Sequence, residues 1–348
     1  MTEILSIYNY INKSKLNKTL SEEDFINILP SLTNQLYNYG FDNIIKDYNN
    51  NLISNEQDWK KLQSCKIETN FIPAQSTIGL SIIKRYMTHI YDVSSYNGKS
   101  ISNLWTKENI EKALKINRKT HSTPYVSEIV RQLGFISGTS KVTIYRPLLT
   151  KRIVQYFNAT NVLDVCVGWG GRMLGTVCNN NVYYTGIEPF TKTFNKLTEM
   201  QEKLDLKNVS LINDKAETIL KHKLFRNKFD LAITSPPYYN LEIYSSESTQ
   251  SHHYGSYEEW YNNFLKPVVH GVINNLHDNG KSCWSVKNFK TDKKYNLLDD
   301  IINLHKEVGW EKMDIEFYIG NSVRPGCKDK EGNAGKSKEI TYVFSKIK

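Results

Sequence analysis

Ser235, Pro236, Pro237 and Tyr238 stand directly behind the apolar run Phe229–Thr234, and they hold the most specific chemistry in the sequence. Two prolines after a buried strand end its hydrogen-bond ladder and stiffen the turn; Pro236 also removes a donor and leaves its carbonyl free. A hydroxyl, a carbonyl and an aromatic face are then presented together at the carboxyl edge of a sheet, where open α/β folds bind ligands. The bland counterpart is a PPxY peptide, Pro236-Pro237-Tyr238-Tyr239, of the kind read by small proline-binding modules. A position tied to a strand argues against it.

A second group begins at Val162-Leu163-Asp164-Val165-Cys166-Val167-Gly168-Trp169-Gly170-Gly171, an apolar strand running into a glycine turn that opens a helix. Glycine admits close approach of a nucleotide-like ligand, and a helix start offers free N–H groups. Glu188 follows Gly168 by 20 residues, after the next apolar run, where a carboxylate can accept both hydroxyls of a ribose. Asp214, behind the third run, could receive the amino group of an adenine. A glycine turn alone is a weak signal; three acids at successive strand ends around one turn are a stronger one. A dinucleotide site competes, but its third glycine position is Met173, a poor fit to close helix–strand packing. His252 and His253 lie near the proline turn and read as surface histidines rather than acid–base groups.

These residues need a scaffold of alternating strands and helices, and the second part of the chain has that texture. From about Tyr145, the runs NVLDVCVG, VYYTGIEP, VSLIND, FDLAITSPP and SCWSVKN alternate with helical stretches, which predicts βαβ units and a mainly parallel sheet. DIEFYIG and EITYVFSK then flank the loop NSVRPGCKDKEGNAGKSK, predicting an antiparallel hairpin at the sheet edge with an exposed basic loop. Residues 1–140 read as a helical region and 141–348 as the catalytic domain. Ser21 and the acids after it predict a helix start, GLSIIKRYMTHIYDV and TKENIEKALKINRK have helical spacing, and SEIVRQLGF reads as a helix stopped at Gly134. A DNA-reading helix-turn-helix is one use of such helices, and ordinary scaffolding is another.

With 39% hydrophobic and 23% charged residues over 348 positions, the chain can bury a core and is too apolar for a disordered one. No apolar run approaches the ~18 residues of a membrane span, and the first residues lack a signal-peptide core, so an intracellular protein is expected. Cys65, Cys166, Cys178, Cys283 and Cys327 are scattered, with neither disulfide nor zinc spacing. No metal is expected. Residues 71–160 hold thirteen Lys or Arg against four acids and thus the whole net charge of +9, which points to a polyanion partner or to a solvated basic face. Lys112, Lys115, Arg118 and Lys119 are the candidate phosphate-binding residues.

From Tyr145 onward the chain resembles the S-adenosylmethionine-dependent amino-methyltransferases of DNA, which act on N4 of cytosine or N6 of adenine. Their target-base motif stands here as SPPY, the form most associated with N4-cytosine members, and their preceding basic-Pro-Leu segment as Arg146-Pro147-Leu148. The segment from Ser235 to Leu265 is also similar to methyltransferases of phages and large DNA viruses. The resemblance implies a Rossmann-like class I methyltransferase domain, with a mostly parallel seven-stranded sheet and an antiparallel C-terminal hairpin. It implies S-adenosylmethionine held by Pro147, Asp164, Cys166, Gly168, Trp169, Gly170, Glu188 and Asp214, and catalysis by Ser235, Pro236, Pro237 and Tyr238. Cys166 stands where the family usually has phenylalanine, so the wall of the cofactor pocket differs. Cytosine C5 chemistry is disfavoured, because its thiolate normally lies in a Pro-Cys dipeptide and this chain has none.

The chemistry of such a reaction suits these residues. An in-line displacement at a reactive methyl mainly requires position and a nucleophilic lone pair. An exocyclic amine is conjugated into its ring; accepting its two hydrogens at the Ser235 hydroxyl and the Pro236 carbonyl would draw it toward tetrahedral geometry. Tyr238 would stack on a target base turned out of the duplex. DNA is the expected partner. RNA base N-methylation is an alternative that the sequence leaves open, and a DNA-binding subunit without catalysis is another, disfavoured by the intact site.

Overall fold

The structure, a computed structural model, describes residues 8–9, 19–120, 122–137, 142–221, 228–328 and 334–347. It forms two compact units, Met1–Leu52 with Thr88–Thr143 and Glu242–Tyr244, and Ile53–Met87 with Ile144–Leu241 and Ser245–Lys348.

The first unit is helical, with helices Glu22–Tyr39, Phe41–Asn50, Lys107–Lys119 and Val126–Ser137. Ser21 caps the first, its hydroxyl accepting the Asp24 N–H at 3.0 Å, and Thr106 caps the third through the Asn109 N–H at 3.3 Å. Phe25, Leu29, Leu32 and Leu36 form one buried stripe, which meets Ile110, Ala113 and Leu114 and then Ile129, Val130 and Leu133. The last helix does not stop at Gly134 but continues to Ser137. A glycine weakens a helix by about 1 kcal/mol and ends it only where the backbone turns left-handed. Glu242–Ile243 pairs antiparallel with Ser94–Ser95 in this unit.

The second unit is built on eight strands: β1 (Phe71–Ile72), β2 (Asn161–Asp164), β3 (Tyr183–Ile187), β4 (Val209–Ile212), β5 (Phe229–Thr234), β6 (Leu276–Ser285), β7 (Trp310–Lys328) and β8 (Ala334–Lys346). Their order is β1-β7-β8-β6-β5-β2-β3-β4. Strands β2 to β6 run parallel, and β8 lies antiparallel between β6 and β7. This is the mainly parallel, Rossmann-like sheet that the alternation of runs predicts, with one strand more than the seven that the resemblance implies. Helices Lys266–Asn275 and Leu297–Glu307 pack Val268, Val269, Val272, Ile301 and Leu304 onto a core that includes Leu163, Phe229 and Trp284.

Two expectations about the hairpin change. The hairpin is not the edge, because β1 pairs parallel to β7 through Phe71 with Tyr318 and Ile72 with Ile319. Much of the expected loop continues the ladder, with Ser322 opposite Ser337 and Lys328 opposite Ala334; its tip, 329–333, lies outside the described residues.

Nor does the chain divide once near residue 140, since Ile53–Met87 packs with the sheet. Buried Asp58 accepts the N–H groups of Gly79 and Ser81 at 2.8 and 2.9 Å, and buried Lys151 donates to the carbonyls of Leu62, Gln63 and Cys65 at 2.7–2.8 Å. The ammonium thus satisfies carbonyls that helix Asn55–Ser64 leaves open at its C-terminus. No helix among the described residues is long and apolar enough to cross a membrane.

Candidate functional site

Strands β5, β2, β3 and β4 are successive neighbours, so the proline turn, the glycine turn, Glu188 and Asp214 all follow the carboxyl ends of adjacent parallel strands. Asp164 closes β2 and is fully buried. Its carboxylate accepts from Arg172 Nε at 2.8 Å, Tyr184 Oη at 2.9 Å and the Cys166 N–H at 3.2 Å. Arg172, eight residues on, also donates to the Cys166 carbonyl and so ties the glycine turn from within. Burial opposes the Arg172 charge, but the adjacent carboxylate outweighs it and holds the guanidinium protonated above its ordinary pKa. Burial and the same carboxylate raise Tyr184, which keeps its proton and remains the donor. Asp164 therefore positions the turn from below.

The turn itself is left-handed at Gly168 and Gly170, with φ of +58° and +83°. A Cβ on Gly168 would meet nothing nearer than the Cys166 carbonyl oxygen at 4.0 Å, so the space in front of it is open to a ligand. A Cβ on Gly171 would fall 2.0 Å from the Tyr145 carbonyl oxygen; here glycine lets the 144–147 segment lie against the helix. Pro147 opens helix Pro147–Phe157 with its ring beside Gly79, a buried packing position. Trp169 is buried, and burial pushes the Cys166 thiol well above its usual range.

Glu188 bridges two turns: Oε2 accepts the Gly168 N–H at 2.8 Å and Oε1 the Phe190 N–H at 2.9 Å. Burial raises its pKa to about 7, against the pull of those two N–H bonds. Asp214 is half-buried, with Oδ1 accepting the Lys215 N–H at 2.7 Å. Glu247 and Thr249 carry no motif that marks them in the sequence, yet they close on the same region. Glu247 accepts from the N–H and hydroxyl of Thr191 at 3.1 Å, and the Thr249 hydroxyl donates to the Pro189 carbonyl at 3.2 Å. His253 Nε2 lies 2.8 Å from the Glu247 carbonyl oxygen, and the rings of His252 and His253 are 4.0 Å apart.

At the proline turn, the Ser235 hydroxyl donates to the Ser285 carbonyl on β6 at 3.0 Å. That bond fixes the proton, so the remaining lone pairs can only accept. Pro236 is buried, whereas Ser235, Pro237 and Tyr238 are half-buried. The Tyr238 ring lies 5.4 Å from Phe289, and its hydroxyl accepts the Lys287 N–H at 3.1 Å. Tyr239 sits left-handed at φ +43°, which costs a non-glycine residue about 1–2 kcal/mol. Its buried ring, packed against Tyr257, Trp260 and Tyr295, holds the bend in place.

The basic segment divides by role. Arg85, Arg146 and Arg152 donate to Asn55, Ala74 and Asn70, and Lys151 caps a helix as described. Arg118 is turned inward: it donates to the Leu20 carbonyl, lies over the Phe25 ring at 5.5 Å and keeps 13% of its side chain exposed. Much of the local charge excess is therefore internal hydrogen bonding. Lys112, Lys115 and Lys119 are exposed on one face of their helix, the first two paired with Glu108 and Glu111 at 2.6 Å. Such surface pairs contribute little to stability and are readily exchanged. Among the described residues, no cluster of His, Cys, Asp and Glu could hold a metal ion.

No protein-family model matches the sequence, and no curated protein does. Solved structures similar to this chain include TrmN from Thermus thermophilus, at 14% identity over 58% of this chain and 49% of that one, with a TM-score of 0.37. NSun6 from Pyrococcus horikoshii, solved with SFG, shares 16% identity over 62% and 55%, with a TM-score of 0.42. A SAM-dependent methyltransferase from Agrobacterium tumefaciens shares 11% over 60% and 65%, with a TM-score of 0.40. The chain spans about half the length of the first of these.

Proposed function

We propose that this chain transfers a methyl group from S-adenosylmethionine to an exocyclic amine of a nucleic-acid base, with N4 of cytosine in DNA as the favoured target. The observation that carries this reading is the SPPY turn at the end of β5, beside the glycine turn of β2, with the Ser235 hydroxyl committed as a donor to Ser285 and so available only as an acceptor. An amine needs acceptors there, neither a metal nor a covalent nucleophile is required, and the proton lost from the methylated amine passes to solvent.

The residues present fit the cofactor. Open space before Gly168 admits its backbone-facing edge, Glu188 is a buried carboxylate able to take ribose hydroxyls, and Asp214 is accessible for the adenine amine. When bound, the cofactor supplies an activated sulfonium methyl. Asp164 and Arg172 hold the turn beneath it, while Ser235 and the Pro236 carbonyl orient the amine and Tyr238 offers its ring to the base. The deciding experiment incubates the full chain with methyl-labelled S-adenosylmethionine and matched DNA and RNA, followed by mass spectrometry of the nucleosides. N4-methylcytosine in DNA is expected; N6-methyladenine would move the base assignment, label only in RNA would move the polymer, and no label in either would remove the activity.

Glu188 makes the binding step pH-dependent. Ribose hydroxyls donate better to the ionised carboxylate, and its ionised fraction rises through about pH 7. Calorimetric affinity for S-adenosylmethionine should therefore weaken from about pH 8 to about pH 6, and Glu188→Gln should abolish that slope. Stability runs the other way. The folded pKa is raised above the unfolded value of 4.5, so the neutral form's contribution is complete below that value and is lost as pH rises through about 7.

Lys112, Lys115 and Lys119 are the remaining candidates for phosphate binding in the first unit. Reversing their charges should lower the salt slope of nucleic-acid binding by about one unit for each phosphate no longer neutralised, and leave cofactor affinity unchanged. An unaltered slope would make that helix a solvated face.

A further inference from the structure

The segment after β6 forms a second hairpin, Phe289–Lys290 against Lys294–Tyr295, with two unlike faces. Phe289 and Tyr295 are opposite each other, both buried, and their rings stack at 4.9 Å and 18°. This apolar face sits on the proline turn: Phe289 lies against Tyr238, Tyr295 against Tyr239 at 5.8 Å, and the Thr291 hydroxyl oxygen lies 3.0 Å from Asn240 Oδ1. On the other face Lys290 and Lys294 are directly opposite. Like charges across a strand pair destabilise it, and a two-residue ladder has little to set against that.

Among the described residues no ion pair neutralises the two lysines. Lys287 and Lys293 are exposed beside them, and none of the four lysines is in an ion pair among the described residues. The one acid within the hairpin, Asp292, is committed to the turn, accepting the hydroxyls of Thr291 and Tyr295 at 2.7 and 2.8 Å. Asn288, Phe289, Lys290, Asp292, Lys293 and Lys294 line a shallow depression, wide open to solvent, on the hairpin's own surface.

We infer that this hairpin is a phosphodiester clamp, its Lys290–Lys294 face holding the nucleic-acid backbone next to the nucleotide presented to Tyr238. The inference rests on the proposed function and adds the element that grips the strand beside the target. A polyanion relieves the repulsion of the lysine pair, and the aromatic face transmits its position to the SPPY turn. The clamp takes a backbone without reading bases, so DNA and RNA strands share the required chemistry and binding must tell them apart.

The test uses the full chain, a labelled single-stranded DNA and an RNA of the same sequence, with fluorescence anisotropy over a range of salt. Lys290→Glu/Lys293→Glu/Lys294→Glu should lower the salt slope by about two units, since each phosphate neutralised on a single strand contributes about 0.7. A lower slope in one polymer alone identifies that polymer as the one clamped. Lys294→Glu by itself should pair with Lys290 across the strands, so its melting temperature should hold or rise while binding weakens. S-adenosylmethionine affinity, read by calorimetry, should be unchanged in both variants. An unaltered slope with both polymers, in a wild type that binds them, would overturn the clamp and leave the proposed function standing. A wild type that binds S-adenosylmethionine but neither polymer would overturn both.

Discussion

Arg172→Met should lower the stability of the sheet unit by about 3–5 kcal/mol, because it strands the Asp164 carboxylate in a fully buried site. Calorimetry of the full chain should show the corresponding transition roughly 10 °C lower, at 2–4 °C per kcal/mol for a unit of this size. The glycine turn should loosen as well, since Arg172 also holds the Cys166 carbonyl, so S-adenosylmethionine should bind more weakly. Asp164→Asn combined with Arg172→Met removes both charges together, and the double variant should recover part of the loss. A buried pair broken on one side costs more than a pair removed whole. Equal melting temperatures for wild type and Arg172→Met would show that the pair contributes nothing to the turn.

Ser235→Ala should slow methyl transfer by roughly 30- to 1,000-fold, or ~2–4 kcal/mol of barrier, by analogy with removal of one preorganised donor at an oxyanion. Binding should hardly change. The hydroxyl is hydrogen-bonded to the Ser285 carbonyl, and its alanine variant leaves β5 and β6 paired through their backbones. Single-turnover transfer from labelled cofactor, with affinities for cofactor and nucleic acid measured alongside, separates the two effects. A reduced affinity with an unchanged transfer rate would assign Ser235 to binding rather than to the reacting amine.

The two residues differ in how far along the chain their partners lie. Ser235 is legible because its neighbours along the chain define it: an apolar run before it, two prolines and a ring after it. Arg172 is not, because a cation behind a glycine turn can face solvent, a phosphate or the interior with the same local sequence. Its spacing of eight residues from Asp164 is a signal that could have been used, since one turn and the start of a helix bring such positions together. Arg118 shows the opposite error. It shares a basic helix with Lys112, Lys115 and Lys119, yet its position on that helix turns it toward Leu20 and Phe25.

What the sequence by itself determined is what depends on neighbours within a dozen residues. Helix starts at Ser21 and Thr106, the parallel strands with their glycine and proline turns, and the acids at strand ends all follow from periodicity and backbone restriction. The tertiary structure alone decided what depends on distant partners. Phe71–Ile72 is too short to carry a strand period and exists as one only because β7 lies beside it. Asp58 closes Ile53–Met87 on itself and Lys151 ties it to helix Pro147–Phe157, both through bonds between residues more than twenty positions apart, which no local pattern records. Lys290 and Lys294 become an opposed pair only through hairpin register, and a one-residue slip would have turned them to the other face. Charge is written in the sequence, but its direction is set by packing, because a side chain's partner is whatever the fold brings within about 3 Å of it.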